Sequence, residues 1–340
     1  MKKLALLALA AILSASVASS VMAEKRSVEI TAGGDVMLGG SKAKGSYARF
    51  EQFVNTYGDG YVLKNLRGLF STDDITIVNL EGPLKGAPSP RKPNKSFNIY
   101  GKPAYARILT TSSVEAVNIA NNHINDYNTK KDTQNILNQY GIVHSDESYN
   151  GVNNTIVVNG VSVGFIGFQT PYKYSDIRKA VRKVKRQCDI CVISFHFCHV
   201  PVGTWKIQSS QMKYAHIAIN AGADLVLGHH PHVVSGVELY KEKLIFYGLG
   251  SLTCSGRNFT RYNIVARITL DYDDVTGEVT TRTPIIYPGY SSSAGLSKQN
   301  NCQPVLFSPG DEGYEWVFDR IDEASSRKGM EPAEYERGEG

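Results

Sequence analysis

An α/β fold with two sheets packed face to face and flanked by helices is what this 340-residue chain predicts. Three observations carry the prediction. Short apolar β runs alternate with amphipathic spans through the first half, the pattern of α/β architecture. Asn159-Gly160 separates two further β runs and sets a hairpin in the middle. The second half then turns to successive β runs, which favours two packed sheets over one doubly wound sheet.

Residues 28–32 form the first strand and end at a Gly-rich turn. Residues 60–70 have helical spacing and lead into a strand at 75–80. Residues 105–111 read as helix before a strand at 116–120, and 129–140 as helix before a strand at 142–144. The hairpin pairs 155–158 with 161–167. A basic helix at 175–186 precedes a strand at 190–195, and a helix at 209–221 precedes a strand at 223–227. A β-meander is expected over 236–240, 244–247, 263–272 and 280–286. From Pro288 the Ser, Asn, Pro and Gly content reads as loop, with one amphipathic segment at 312–325 and a charged tail from Met330 expected to be disordered.

The chain begins with Lys2 and Lys3, an apolar stretch over 4–17 and the small-residue end Val21-Met22-Ala23, a cleavable bacterial-type secretory signal. Ser14, Ser16, Ser19 and Ser20 dilute the run before it reaches the roughly 20 apolar residues of a membrane span. The mature chain is therefore expected to be secreted or periplasmic, without a transmembrane anchor. Domain boundaries follow: a signal peptide at 1–23, one large domain at 24–290, and a C-terminal loop and helix with a disordered tail at 291–340. With 37 basic and 32 acidic residues, two of the basic ones in the signal, the balance predicts no nucleic-acid partner. Cys188 and Cys191 have redox-motif spacing but open a strand rather than a helix, so they read as buried or incidental thiols. Cys198, Cys254 and Cys302 allow disulfides whose pairing stays open.

Five strands each end in a polar cluster. They end at Gly34-Asp35, at Asn79-Leu80-Glu81, at Asn121-Asn122-His123, at His196, and at Gly228-His229-His230-Pro231-His232. Open sheets keep their chemistry at the carboxyl ends of strands. Carboxylates, an amide and imidazoles together suit Mn²⁺, Fe or Zn²⁺, one or two ions, because borderline cations take mixed N and O donors. Glu81 is long enough to bridge two ions about 3.5 to 4 Å apart, the spacing that activates water and clamps a phosphoryl group. The loop after Glu81 carries Lys85, Arg91, Lys92 and Lys95 among prolines; Arg91, Lys92 and Lys95 are candidates for holding an anionic substrate. The basic helix at 175–186 reads as a solvated face, and His144 and His216 as structural histidines.

Gly34-Asp35-Val36-Met37-Leu38-Gly39, Asn79-Leu80-Glu81-Gly82, Ala120-Asn121-Asn122-His123, residues 222–232 and residues 244–252 resemble, in order, the motifs of the CapA family of poly-gamma-glutamate capsule biosynthesis. The resemblance implies a four-layer α/β/β/α sandwich of the calcineurin-like metallophosphoesterase type. It makes Asp35 the first-strand metal ligand, Glu81 the bridging carboxylate, Asn122 an oxygen ligand, and His196 with His230 and His232 nitrogen ligands. His123 becomes the acid beside them. His229 is a second way to read the Gly-His-x-His spacing, and the His230/His232 pair is preferred. Two departures stand out. Met37 occupies a position where the superfamily carries a His ligand, and His196-Phe197-Cys198-His199 replaces the family's His-Trp-Gly and following Glu, leaving His199 as a metal or supporting donor.

Two functions follow. One is an exported metal-dependent hydrolase, phosphoesterase-like, that uses metal-activated water on an anionic small molecule or polymer in capsule or poly-gamma-glutamate metabolism. The other is a non-catalytic envelope protein that assists capsule machinery in assembling or exporting an anionic polymer.

Overall fold

The computed structural model describes residues 25–85, 95, 97–151, 154–253, 260–295 and 298–340. The expected signal at 1–23, and Arg91 and Lys92, lie outside the described residues. Strands β1 (Lys25–Val36), β2 (Ile75–Leu80), β3 (Ala116–Asn118) and β4 (Val143–Ser145) lie parallel in one sheet. On its other side β1 pairs antiparallel with β11 (Tyr262–Asp273), which is followed by β12 (Val279–Thr281), β13 (Ile285–Tyr290), β14 (Val305–Leu306) and β15 (Glu336–Arg337). The second sheet holds β5 (Thr155–Val158), β6 (Val161–Gln169), β7 (Ile190–His196), β8 (Leu225–His229), β9 (Val237–Tyr240) and β10 (Lys243–Phe246), in the order β5-β6-β7-β8-β10-β9.

Side-chain alternation builds the layers. Val28, Ile30 and Ala32 on β1 and Ile264, Ala266 and Ile268 on β11 face one way and meet Phe165, Val192 and Leu227 of the other sheet in a single core. The opposite faces carry separate cores. Val78, Leu80 and Val117 pack under α1 (Ser46–Tyr57), α2 (Arg67–Phe70), α3 (Ala106–Thr110) and α4 (Lys130–Gln139). Ile166, Ile193 and Val226 pack under α5 (Tyr174–Lys185) and α6 (Ser209–Ala221). The expected α/β/β/α sandwich is therefore present, and α7 (Tyr314–Ser325) seals the inter-sheet core with Val317, Phe318 and Ile321. Among the described residues no helix is long and apolar enough to cross a membrane.

Four expectations need correction. Helix α1 was not anticipated, although Tyr47, Phe50 and Val54 bury one face at helical spacing. The helix expected at 60–70 shrinks to α2, because 60–66 wind as turns after Gly58 and Gly60. The meander is broken: β9 and β10 form a hairpin, but β10 adds parallel to β8, and β11 leaves for the other sheet because β1 offers it a long inward-facing register. The tail from Met330 is paired rather than disordered. Its β15 lies beside Ile285 and Ile286, Tyr335 stacks on Phe318, and Arg337 meets Glu315 at 2.9 Å. The apolar anchors Ala333 and Tyr335 inside a charged stretch supply the burial that composition alone conceals.

Candidate metal centre

β1, β2 and β3 in one sheet and β7 and β8 in the other end on the same rim, so all five predicted clusters converge. Asp35 pairs in register with Asn79, and His196 with His229. Close backbone approaches seat them. A Cβ on Gly34 would lie 2.1 Å from the Gly250 carbonyl oxygen, and one on Gly228 2.5 Å from that of Tyr247, so both positions need glycine. His230 and His232 hold φ of +95° and +58°, conformations that L-residues avoid and that the turn imposes to aim both rings inward.

The donors fall into two groups. Asp35, Glu81 and His232 form the first and His196, Cys198 and His230 the second, each with its donor atoms within 4.8 Å of one another. In the first, His232 Nδ1 lies 2.7 Å from Asp35 Oδ2, and His232 Nε2 3.5 Å from Glu81 Oε1. In the second, His196 Nε2 lies 2.9 Å from Asn122 Oδ1 and 3.2 Å from His230 Nδ1, and Cys198 Sγ is 3.7 Å from the same Asn122 oxygen. Glu81 stands between, with Oε1 3.9 Å from His196 Nε2. His229 is buried at the end of β8 with Nδ1 3.4 Å from Asp35 Oδ1, behind the first group. His199, read as a metal or supporting donor, has its ring held by Thr170 at 2.7 Å and Ser210 at 2.8 Å. Met37 lines the cavity over the first group and offers no nitrogen there.

These residues fit a cation on their own chemistry. Asp35 Oδ2, His232 Nδ1, His196 Nδ1 and both His229 nitrogens are buried without a hydrogen-bond partner. The 2.7 Å approach of His232 Nδ1 to Asp35 Oδ2 is an ion-pair contact rather than a hydrogen bond. In the second group an amide oxygen and two imidazole nitrogens face one another with more lone pairs than protons to share, which a positive ion resolves. The electrostatics of the groups differ. Burial pushes Glu81 up to about 8, and Asp35 is held well below the usual carboxylate range by His229 and His232 against its own burial. Against burial, Glu81 and Asp35 push His232 up to about 9. Burial drives His230 down to about 4 and His196 well below its ordinary value, and it pushes the Cys198 thiol up to about 12.

Asparagines brace the rim. Asn79 donates to Asp35 Oδ1 at 2.8 Å and accepts from Asn118 at 2.9 Å and Asn121 at 3.3 Å. His123 stands over Glu81, with Nε2 3.8 Å from Oε1, while its Nδ1 lies 2.7 Å from the buried Asp126 Oδ2. Asp126 favours the protonated ring, but burial wins and His123 sits below its ordinary value. Lys95, a candidate for holding an anionic substrate, lies beside this pair. Its ammonium is bound by Asp126, by the Asn122 carbonyl at 2.7 Å and by His123 Nδ1 at 3.0 Å. Asp126 and Cys198 were missed; the signals were an acid three residues after His123, on the same turn, and a thiol two residues after His196.

A cavity of about 680 Å³ opens over the first group, with Asp35, Glu81, His123 and His232 in its lining. Lys44 and Arg49 stand on its wall without a carboxylate partner among the described residues; the Gln299 amide oxygen, turned inward, accepts from Arg49 at 2.7 Å. Cys302, also on that wall, is disulfide-bonded, whereas Cys188, Cys191 and Cys198 are free.

The chain is similar to capsule biosynthesis protein CapA of Bacillus anthracis, 28% identical over 256 residues covering 67% of this chain and 60% of that protein. It is also similar to the PGA biosynthesis protein CapA of Bacillus subtilis, 24% identical over 244 residues covering 64% and 61%. The match thus spans about three fifths of the length of these relatives. A solved phosphatase from Mycoplasma pneumoniae superposes with a TM-score of 0.49 at 16% identity, over 78% of this chain and 95% of that one. Residues 29–255, which take in every donor of both groups, match the family described as bacterial capsule synthesis protein PGA_cap, and the chain belongs to that family.

Proposed function

We propose that this is an exported protein of the cell envelope, acting in capsule or poly-gamma-glutamate metabolism as a metal-dependent hydrolase of phosphoesterase type. The observation that carries the reading is the pair of donor groups meeting at Glu81, the first with Asp35 Oδ2 and His232 Nδ1 buried and without a hydrogen bond. Asp35, Glu81 and His232 would hold one divalent ion, manganese, iron or zinc, and Glu81, Asn122, His196 and His230 a second. Bound there, the ions would supply Lewis-acid polarisation and charge neutralisation. The chain's own groups do the rest. His123 Nε2 faces the site, and Asp126 steadies its ring, so a proton held at Nε2 can pass to a leaving oxygen. Lys44 and Arg49 draw an anionic substrate, small molecule or polymer, against the cavity wall.

The test is hydrolysis of a generic phosphodiester by the purified chain, before and after chelation and with added Mn²⁺ or Zn²⁺. Turnover that appears with metal and disappears with chelator supports the reading; turnover that survives chelation sinks it. The second reading, a non-catalytic assistant of polymer assembly or export by the capsule machinery, draws on Met37, which leaves the Asp35 group short of a nitrogen. It predicts polymer affinity that survives Asp35→Ala and His230→Ala but falls on charge reversal at Lys44 and Arg49 and with added salt.

A further inference from the structure

The three free cysteines have different surroundings. Cys188 and Cys191 belong to the apolar core under α5 and α6, with Cys191 fully buried, as small hydrophobic residues do. Cys198 does not. Its backbone N–H donates to the His196 carbonyl at 2.9 Å, a tight turn that folds residue 198 back over residue 196, and the Phe197 N–H ties the turn to the His229 carbonyl at 3.0 Å. The sulfur is thereby placed among the donor atoms of His196 and His230 and 3.7 Å from Asn122 Oδ1. Its loop neighbour His199 is committed elsewhere, to Thr170 and Ser210.

We propose that Cys198 is a sulfur ligand of the second donor group and that it tunes this group toward zinc in preference to manganese. The proposal rests on the metal-site reading above and adds to it the identity of a donor and a preference between ions. A group of imidazoles and an amide oxygen discriminates poorly among divalent metals, whereas a thiolate favours zinc over the harder manganese. Binding converts the S–H to a sulfur–metal bond and releases its proton to solvent, with no change of oxidation state. Asn122 and the two imidazoles then complete a mixed sulfur, nitrogen and oxygen set of the kind zinc accepts.

Cobalt(II) loading of the full chain tests this without an activity assay. The expected result is visible ligand-field bands together with a near-ultraviolet thiolate-to-cobalt charge-transfer band. That charge-transfer band is lost in Cys198→Ser while the ligand-field bands remain, and it is kept in Cys188→Ser. The zinc-over-manganese preference, read by competition, falls about tenfold or more in Cys198→Ser. Ligand-field bands without charge transfer in the wild type, or a charge-transfer band that follows Cys188, would overturn the proposal while leaving the metal site standing. Failure of the wild type to bind cobalt or zinc would overturn both. X-ray absorption of the zinc-loaded wild type needs no variant: a sulfur neighbour at about 2.3 Å is expected, and a shell of only nitrogen and oxygen contradicts it.

Discussion

The two donor groups share Glu81 and a rim, yet they meet a cation in opposite electrostatic states. Asp35, Glu81 and His232 are charged or proton-laden: with His232 pushed up to about 9 and Glu81 to about 8, two of the three carry protons at neutral pH. His196 and His230, driven down by burial, are neutral with their lone pairs available. An ion entering the first group must displace protons, and one entering the imidazoles of the second need not. The difference teaches that burial prepares one group and ion pairing occupies the other, so they should fill in sequence rather than together.

The largest effect is expected where the groups join. Glu81→Ala should lower phosphodiester turnover by more than about a hundredfold and remove metal from both groups, read by metal analysis and kinetics on one preparation; unchanged stoichiometry would break the comparison. Next comes pH. His232 and Glu81 have raised values, so their protons compete with the ion below about 9 and about 8 and leave as pH rises. Binding in the first group sheds the protons of both, so its affinity should climb by more than roughly tenfold per unit between pH 6 and 8. In Cys198→Ser, which removes the thiol proton, the second group sheds only that of the shared Glu81, because His230 is already neutral above about 4, and should climb less steeply. Titration calorimetry at pH 6, 7 and 8 reads this, and parallel slopes would contradict it. Asp126→Asn should act on neither group but through His123, lowering kcat about tenfold to a hundredfold with metal content kept. The smallest effect is a control far from the rim. Gly160 holds φ of +74° in the β5–β6 turn, so Gly160→Ala should lose about 1 kcal/mol in denaturant unfolding and leave metal binding alone.

The rim was legible in the sequence because each cluster follows a strand whose apolar run is visible, and parallel strands that end together must bring their ends together. Asp35, Glu81, Asn122, His123, His196, His230 and His232 all lie where that logic places them. What escaped was set by tertiary context. Lys95 reads as a loop cation, and only the fold reveals the buried Asp126 that captures it. His199 looks like a ligand by proximity in sequence, but the turn that delivers Cys198 to the site sends the next residue toward Thr170. The route of β11 into the other sheet and the pairing of the charged tail depend on partners more than a hundred and about fifty residues away. Local pattern carries no such information.

Metal content of the purified full chain, measured by mass spectrometry beside an Asp35→Ala/His230→Ala double variant, tests the central claim most directly. The account predicts between one and two ions per wild-type chain at pH 8 and none in the variant, with both proteins folded. A folded wild type that takes up no divalent ion, or a double variant that binds as well as the wild type, would contradict it.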